Sequence, residues 1–155
     1  MTALPNETPH KFHVSWKEFH RDTRALAWNL PKQPWKGLVS ITRGGLVPSA
    51  IIARELDIRL IDTVCIISYD DLDTQKEAET LKPASSIIES QGKDWLIIDD
   101  LVDTGKTASI VRDMLPQAYL AAVYAKPAGR PIIDSYVTEV SQDTWIVLPW
   151  ETDGE

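Results

Sequence analysis

Cysteine is almost missing: Cys65 stands alone among 155 residues. That excludes an internal disulfide framework and any cysteine-built zinc site, and a single free thiol fits a reducing, intracellular setting. Long apolar runs are missing too. No stretch approaches the ~20 residues a membrane span requires, and the residues ahead of Trp16 contain no apolar h-region, so no secretory signal is expected. Positive charge is in deficit. With 16 Lys and Arg against 23 Asp and Glu, the net charge is −7, which argues against nucleic-acid binding through a basic surface. A small anionic ligand stays open, because backbone amides and a divalent cation can hold a phosphate inside an acidic protein. No internal repeat or low-complexity tract occurs, and neither does a G-x-G-x-x-G string. Gly105-Lys106-Thr107 has the ending of a Walker A loop, but Asp100 stands where that motif requires glycine.

What is present reads as one globular domain over 1–155, long enough to bury a core without staples. Residues 1–13, rich in Pro, Thr and Asn, read as a loose arm. Ser15-Trp16-Lys17-Glu18 has the form of a capping box, and the following segment to about Leu30 places Phe19, Thr23, Leu26 and Leu30 on one helical stripe before Pro31 and Pro34 stop it. Gly37 to Ile41 is a short apolar strand, followed by a Gly-Gly loop and a helix opened by Pro48. Leu60 to Ile67 reads as a buried strand. Residues 70–92 turn polar and turn-forming, and are expected to form a long mobile loop. Trp95 to Ile98 is the clearest strand, Thr107 to Leu115 a helix, and Tyr119 to Tyr124 a further strand. Ile132 to Val137 and Thr144 to Leu148 are shorter extended pieces. Strands alternating with helices predict an α/β fold, a mostly parallel twisted sheet covered on both faces. Ligands of such sheets bind at the carboxyl ends of the strands, so residues just after Ile41, Ile67, Ile98 and Tyr124 are the candidates.

The strongest of these segments runs from Leu96 to Thr107. It joins a buried strand to the adjacent carboxylates Asp99 and Asp100, a third carboxylate at Asp103, and a Thr104-Gly105-Lys106-Thr107 turn into a helix. Neighbouring strand side chains point to opposite faces, so Asp99 and Asp100 cannot serve one ligand by one route. The turn presents backbone amides at a helix N-terminus, a place for phosphate. Carboxylates beside a phosphate need an offset, either ligand hydroxyls that donate to them or a bound Mg²⁺. A ribose 5-phosphate with free hydroxyls meets both conditions. The plain alternative is a helix N-cap whose acids favour the dipole.

The string Ile97 to Thr107 resembles the ribose-phosphate motif of the type I phosphoribosyltransferases. The resemblance continues, in order, through Trp35-Lys36-Gly37, Thr42-Arg43-Gly44-Gly45-Leu46-Val47-Pro48, Ala53-Arg54-Glu55-Leu56, Asp62-Thr63-Val64-Cys65-Ile66, Ala125-Lys126-Pro127-Ala128-Gly129-Arg130-Pro131 and Gln142-Asp143-Thr144-Trp145-Ile146. It covers residues from about 14 to 151, and the last two strings are those of its purine subgroup. The resemblance implies that fold, with a small hood built from the chain ends. It also implies a Mg²⁺-dependent enzyme of purine salvage, moving the phosphoribosyl group of PRPP to guanine or xanthine, and to hypoxanthine more weakly. Arg43 and Gly44 would then bind pyrophosphate. Asp99 and Asp100 would face the ribose hydroxyls, with Asp100 at the metal, and Asp103 through Thr107 (Thr104, Gly105 and Lys106 included) would hold the 5-phosphate. Asp103 would also lie near N7 of the base, Lys126 would donate to its 6-oxo group, Trp145 would stack on it, and the Ile146 backbone would read its 2-position. A homotetramer, a cytoplasmic location and a loose association with the inner membrane are implied by the resemblance alone.

Several positions depart from the family pattern. In the mobile loop Lys76 takes the place of the family's closing basic residue, keeping the charge but not the planar fork of arginine. Lys106 stands where this subgroup often has glycine. Glu151 replaces the usual Asp, and the family's apolar tail has no counterpart, which predicts a more open purine pocket. A reading from another class, a regulator of the same fold that binds PRPP or nucleotides without efficient catalysis, would show a damaged acidic motif or a basic face. Here the motif is intact and the charge negative.

Overall fold

A computed structural model describes residues 10–67, 79–82, 87 and 90–151. The first helix, α1 (Trp16–Asn29), begins as its capping box predicts. The Ser15 hydroxyl accepts the Glu18 N–H at 3.1 Å and donates to the Glu18 carboxylate at 3.0 Å. Phe19, Thr23, Leu26 and Leu30 are all buried, and the Thr23 hydroxyl is satisfied by the Phe19 carbonyl at 2.7 Å.

Six strands form the main sheet: β2 (Gly37–Thr42), β3 (Ile61–Ile67), β4 (Glu79–Lys82), β5 (Trp95–Val102), β6 (Tyr119–Ala125) and β7 (Thr138–Glu139), in the order β4-β3-β2-β5-β6-β7. All neighbours pair in parallel except β3 and β4. Parallel neighbours need crossovers, and helices supply them: α2 (Leu46–Glu55) joins β2 to β3, and α3 (Lys106–Met114) joins β5 to β6. The period-two alternation of the strands divides the core. Leu38, Leu96, Ile98, Ala121 and Val123 pack with α1 and α2, whereas Val39, Ile41, Ile97, Leu120 and Ala122 pack with Val111 and Leu115 on the side of α3. Connections from β2 and β5 run to opposite sides of the sheet. The crevice between their carboxyl ends is therefore the point where the winding reverses, the place where such sheets take ligands.

The chain ends form a second, two-stranded parallel sheet, β1 (Lys11–His13) with β8 (Trp145–Val147), in which Lys11 lies opposite Trp145. This is the hood expected at the chain ends. The arm expected to be loose thus finishes as a strand, because the exposed Lys-Phe-His stretch carries no burial pattern and is held by backbone pairing instead. In the 70–92 segment, Glu79–Lys82 is a strand on the sheet edge and Ile87 is fully buried, so a continuous loop does not describe that part. The rest of the segment up to residue 78, with Lys76, lies outside the described residues. The expected extended piece from Ile132 to Val137 differs as well. Arg130–Ile132 is a 3₁₀ turn with Pro131 in its first positions, and only Ser135 bridges to the sheet, at Ala121. Among the described residues, no helix is long and apolar enough to cross a membrane.

Candidate functional site

Strand β5 does not stop before its acids. It runs through Asp99 and Asp100 to Val102, so both carboxyls leave from within the strand, on alternating sides. Asp100 lines a large cleft of about 1130 Å³, together with Arg43, Gly44, Asp103, Lys126, Trp145 and Ile146. Asp99 lines a smaller hollow of about 120 Å³, together with Asp103, Thr104, Gly105, Lys106 and Thr107. Leu101 and Asp103 border both, so the two spaces adjoin. All the candidate residues but one are thereby brought to a single crevice at the carboxyl ends of β2, β5 and β6. The exception is Lys76.

The floor between β2 and β5 is unusually close. The Thr42–Arg43 peptide is cis. A Cβ at position 44 would lie 2.6 Å from one Asp100 carboxylate oxygen and 2.7 Å from the other, so only glycine fits beside that acid in its present rotamer. At position 45 the atoms in the way are the Ile98 and Ile41 carbonyl oxygens, at 2.5 and 2.6 Å. Asp100 Oδ1 accepts the Leu101 N–H at 2.6 Å, and Asp99 Oδ1 accepts the Asp100 N–H at 2.8 Å. Burial pushes both carboxyls above the usual carboxylate range, Asp99 more strongly, and the neighbouring Asp100 charge adds to the rise at Asp99. Among the described residues there is no cluster of three or more His, Cys, Asp or Glu able to hold a metal unaided. One or two carboxylates completed by waters and substrate oxygens is the donor set Mg²⁺ usually takes, and Asp100 on the cleft wall fits it.

A stability prediction follows from the buried acids. A carboxyl whose folded-state pKa is raised binds its proton more tightly when folded. Stability therefore falls as pH climbs from the ordinary Asp value through the folded one, and stays lower above it. Asp99→Asn keeps the acceptor for the Asp100 N–H and removes the buried charge. Its Tm is expected to exceed the parent's by at least ~2 °C at neutral pH, and the gain should vanish near pH ~4. Thermal melts in chelator across that range check it; equal Tm values at neutral pH would show that the carboxylate is already compensated.

Past β5 the chain turns at Gly105, whose φ of 85° lies in the left-handed region that favours glycine, and α3 begins at Lys106. The Thr104 hydroxyl accepts the Lys106 N–H at 3.4 Å. The smaller hollow thus lies against a helix N-terminus, where backbone amides and the helix dipole favour an anion.

Lys126 follows β6 directly and is 7% exposed. Its backbone N–H donates to Val102 at 2.9 Å, and its ammonium lies 3.3 Å from Asp103 Oδ2. The other Asp103 oxygen accepts from the Gln142 side chain at 2.8 Å. Gln142 carried no role in the sequence reading: nothing in its local pattern distinguishes it from any exposed polar turn residue, and its contact is 39 positions away. On the hood, Trp145 is 60% exposed while its neighbour Ile146 is buried. The Trp145 N–H donates to the His10 carbonyl at 2.8 Å, so β1 backs the wall that carries this ring. Trp150 closes the rear, edge-on to Phe19 with ring centres 4.8 Å apart. The Glu151 carboxyl, on the cleft wall, accepts the Leu148 N–H at 3.2 Å and is pushed up by burial, with the Asp100 charge adding to the rise.

The family model of the phosphoribosyl transferase domain matches residues 15–153. A xanthine-guanine phosphoribosyltransferase of Desulfotalea psychrophila is 56% identical over 153 residues, covering 98% of this chain and 93% of that protein. Another of the same name, from Nitratidesulfovibrio vulgaris, is 56% identical over 143 residues, with 92% and 85% covered. Among solved structures, a purine phosphoribosyltransferase of Pyrococcus horikoshii superposes with a TM-score of 0.76 at 28% identity, covering 94% of this chain and 97% of that one.

Proposed function

The chain belongs to the phosphoribosyltransferase family, and from that footing we infer that it transfers the 5-phosphoribosyl group of PRPP to guanine or xanthine, and to hypoxanthine more weakly. The products are the purine nucleotide, GMP or XMP for the preferred bases, and pyrophosphate. The bond from the ribose C1 carbon to the pyrophosphate oxygen breaks, a bond to a purine ring nitrogen forms, and the base gives up a proton. The observation that carries this reading is one wall of the crevice. Asp103, bordering the smaller hollow at the helix N-terminus, is ion-paired to a buried lysine that faces the exposed Trp145 ring across the larger cleft.

Each group has a physical task in that chemistry. The α3 N-terminus with Thr104, Gly105, Lys106 and Thr107 holds the 5-phosphate. Asp99 and Asp100 accept from the ribose hydroxyls, and Arg43 with the Gly44 backbone meets the diphosphate. Enzymes of this family generally use Mg²⁺ with PRPP; Asp100 would hold it, and when bound it neutralises charge on the departing pyrophosphate. Lys126 donates to the purine 6-oxo group, and adenine, with an amino group there, offers no acceptor. Trp145 stacks on the base, the Ile146 backbone reads its 2-position, and Asp103 stands by its N7 side to receive or balance the proton. Lys76 supplies the closing positive charge. Assembly as a homotetramer belongs to the same reading, supported by the exposed Trp28, Leu46, Leu60 and Ile61, which a second copy could cover. So does a cytoplasmic location.

The test is product formation from PRPP and Mg²⁺ with guanine, xanthine, hypoxanthine and adenine in separate reactions, beside Asp103→Ala and a chelated control. Turnover of guanine and xanthine, weaker hypoxanthine, no adenine, and losses of about 100-fold or more in the variant are expected. Tight PRPP binding without turnover of any base would sink the reading and favour a regulator.

A further inference from the structure

We propose that Gln142 is a positioning residue for the reaction: its side chain fixes the plane of the Asp103 carboxylate and its ionised state toward the base. The proposal rests on the reading above that Asp103 faces the reacting purine. Gln142 is exposed, yet both ends of its amide are committed. Its Oε1 accepts the Ala128 N–H at 2.9 Å, and its Nε2 donates to Asp103 Oδ1 at 2.8 Å. The assignment of the two amide atoms is dictated by chemistry, because a backbone N–H can only donate, so the oxygen must face Ala128 and the NH₂ must face Asp103.

The consequence falls on Asp103. Lys126 supplies a donor to Oδ2 at 3.3 Å and Gln142 a donor to Oδ1. A carboxylate held at one oxygen can turn about its Cβ–Cγ bond; held at both, by donors on two different segments, it cannot. A donor at each oxygen also favours the charged form over the protonated one. The turn that delivers Gln142 is itself braced. The Ser141 hydroxyl bonds to Asp143 at 2.9 Å and to the Thr144 hydroxyl, and the Thr144 N–H donates back to Ser141 at 3.1 Å. Gln142 therefore ties three segments of the crevice together: the turn after β5, the turn after β6, and the approach to the hood strand β8.

Gln142 could instead serve only to brace the 127–129 turn through Ala128. Two substitutions separate these roles. Gln142→Glu has the same length and keeps an acceptor for the Ala128 N–H, but it places a carboxylate against Asp103 where a donor stood. Gln142→Met removes both contacts at similar volume. With guanine as acceptor, Gln142→Glu is expected to lose at least about 10-fold in kcat, with KM for PRPP within about two-fold of the parent and Tm unchanged. Gln142→Met should lose less, since it adds no repulsion. Parent-like kcat in Gln142→Glu, with or without a loss in Gln142→Met, overturns the proposal, and so do losses that track a fall in Tm in both variants. Failure of the parent protein to turn over any base would instead be a failure of the transferase reading, and the parent assay shows which has failed.

Discussion

Gly44→Ala is expected to lower kcat/KM for phosphoribosyl transfer by at least about 100-fold while the protein folds and melts almost as before. The new methyl group would sit 2.6–2.8 Å from the Asp100 carboxyl group. What must yield is the end of a side chain, which can swing away cheaply, and the fold survives for that reason. The acid that lines the cleft is then displaced, and its 2.6 Å bond to the Leu101 N–H is lost with it. The neighbouring Gly45→Ala variant is the control. There the methyl group meets backbone carbonyls of β2 and β5, which cannot move without parting the strands, so Tm should drop along with activity. Melting curves and steady-state kinetics on both variants distinguish displacement at the site from damage to the sheet. A fully active Gly44→Ala protein would show that Asp100 does not act from its present position.

Lys126→Met should separate activity from stability in the opposite sense. The ammonium is almost wholly buried, and its ion pair is with an Asp103 side chain that is 53% exposed. Burying a charge costs free energy that such a pair only partly returns, so replacing it with an apolar chain of similar length should leave Tm unchanged or raised. Transfer to guanine and xanthine should nevertheless fall by about 100-fold or more, because the donor to the 6-oxo group is gone. Kinetics with guanine and with adenine, beside thermal melts, check both halves. Parent-like turnover of guanine would place recognition of the 6-position elsewhere in the crevice.

The parts legible in the sequence were those whose signal is local. The Ser15 capping box, the 19-23-26-30 stripe and the Trp95–Ile98 run each announce an element through neighbours a turn or a strand away, and each is found in the structure. The acidic string ending at Thr107 was visible because a strand, three carboxylates and a glycine turn lie within one stretch. Where pairing is decided at a distance, the pattern was silent or misleading. Lys11–His13 becomes a strand only because β8 lies beside it, and Asp99 and Asp100 lie inside β5 because β6 continues to pair there, Asp99 with Ala122 and Leu101 with Tyr124. The 132–137 piece has suitable residues for a strand, but Pro131 places its start in a 3₁₀ turn and leaves it a single bridge. Gln142 is the sharpest case: its partners sit 14 and 39 positions back, a relation that only the folded topology creates.

The pairing of β1 with β8 also bears on the order in which the crevice is assembled. The phosphate turn and the floor glycines are set by contacts within or between neighbouring βα units. The wall bearing Trp145 needs the two extremes of the chain to meet, the most costly loop closure the molecule makes. Contacts of such long sequence separation form late in folding, and a sheet of two short strands opens readily. A half-folded or still-growing chain would therefore hold a place for phosphate well before it holds a place for a purine, and in the finished protein the purine side is the first to breathe.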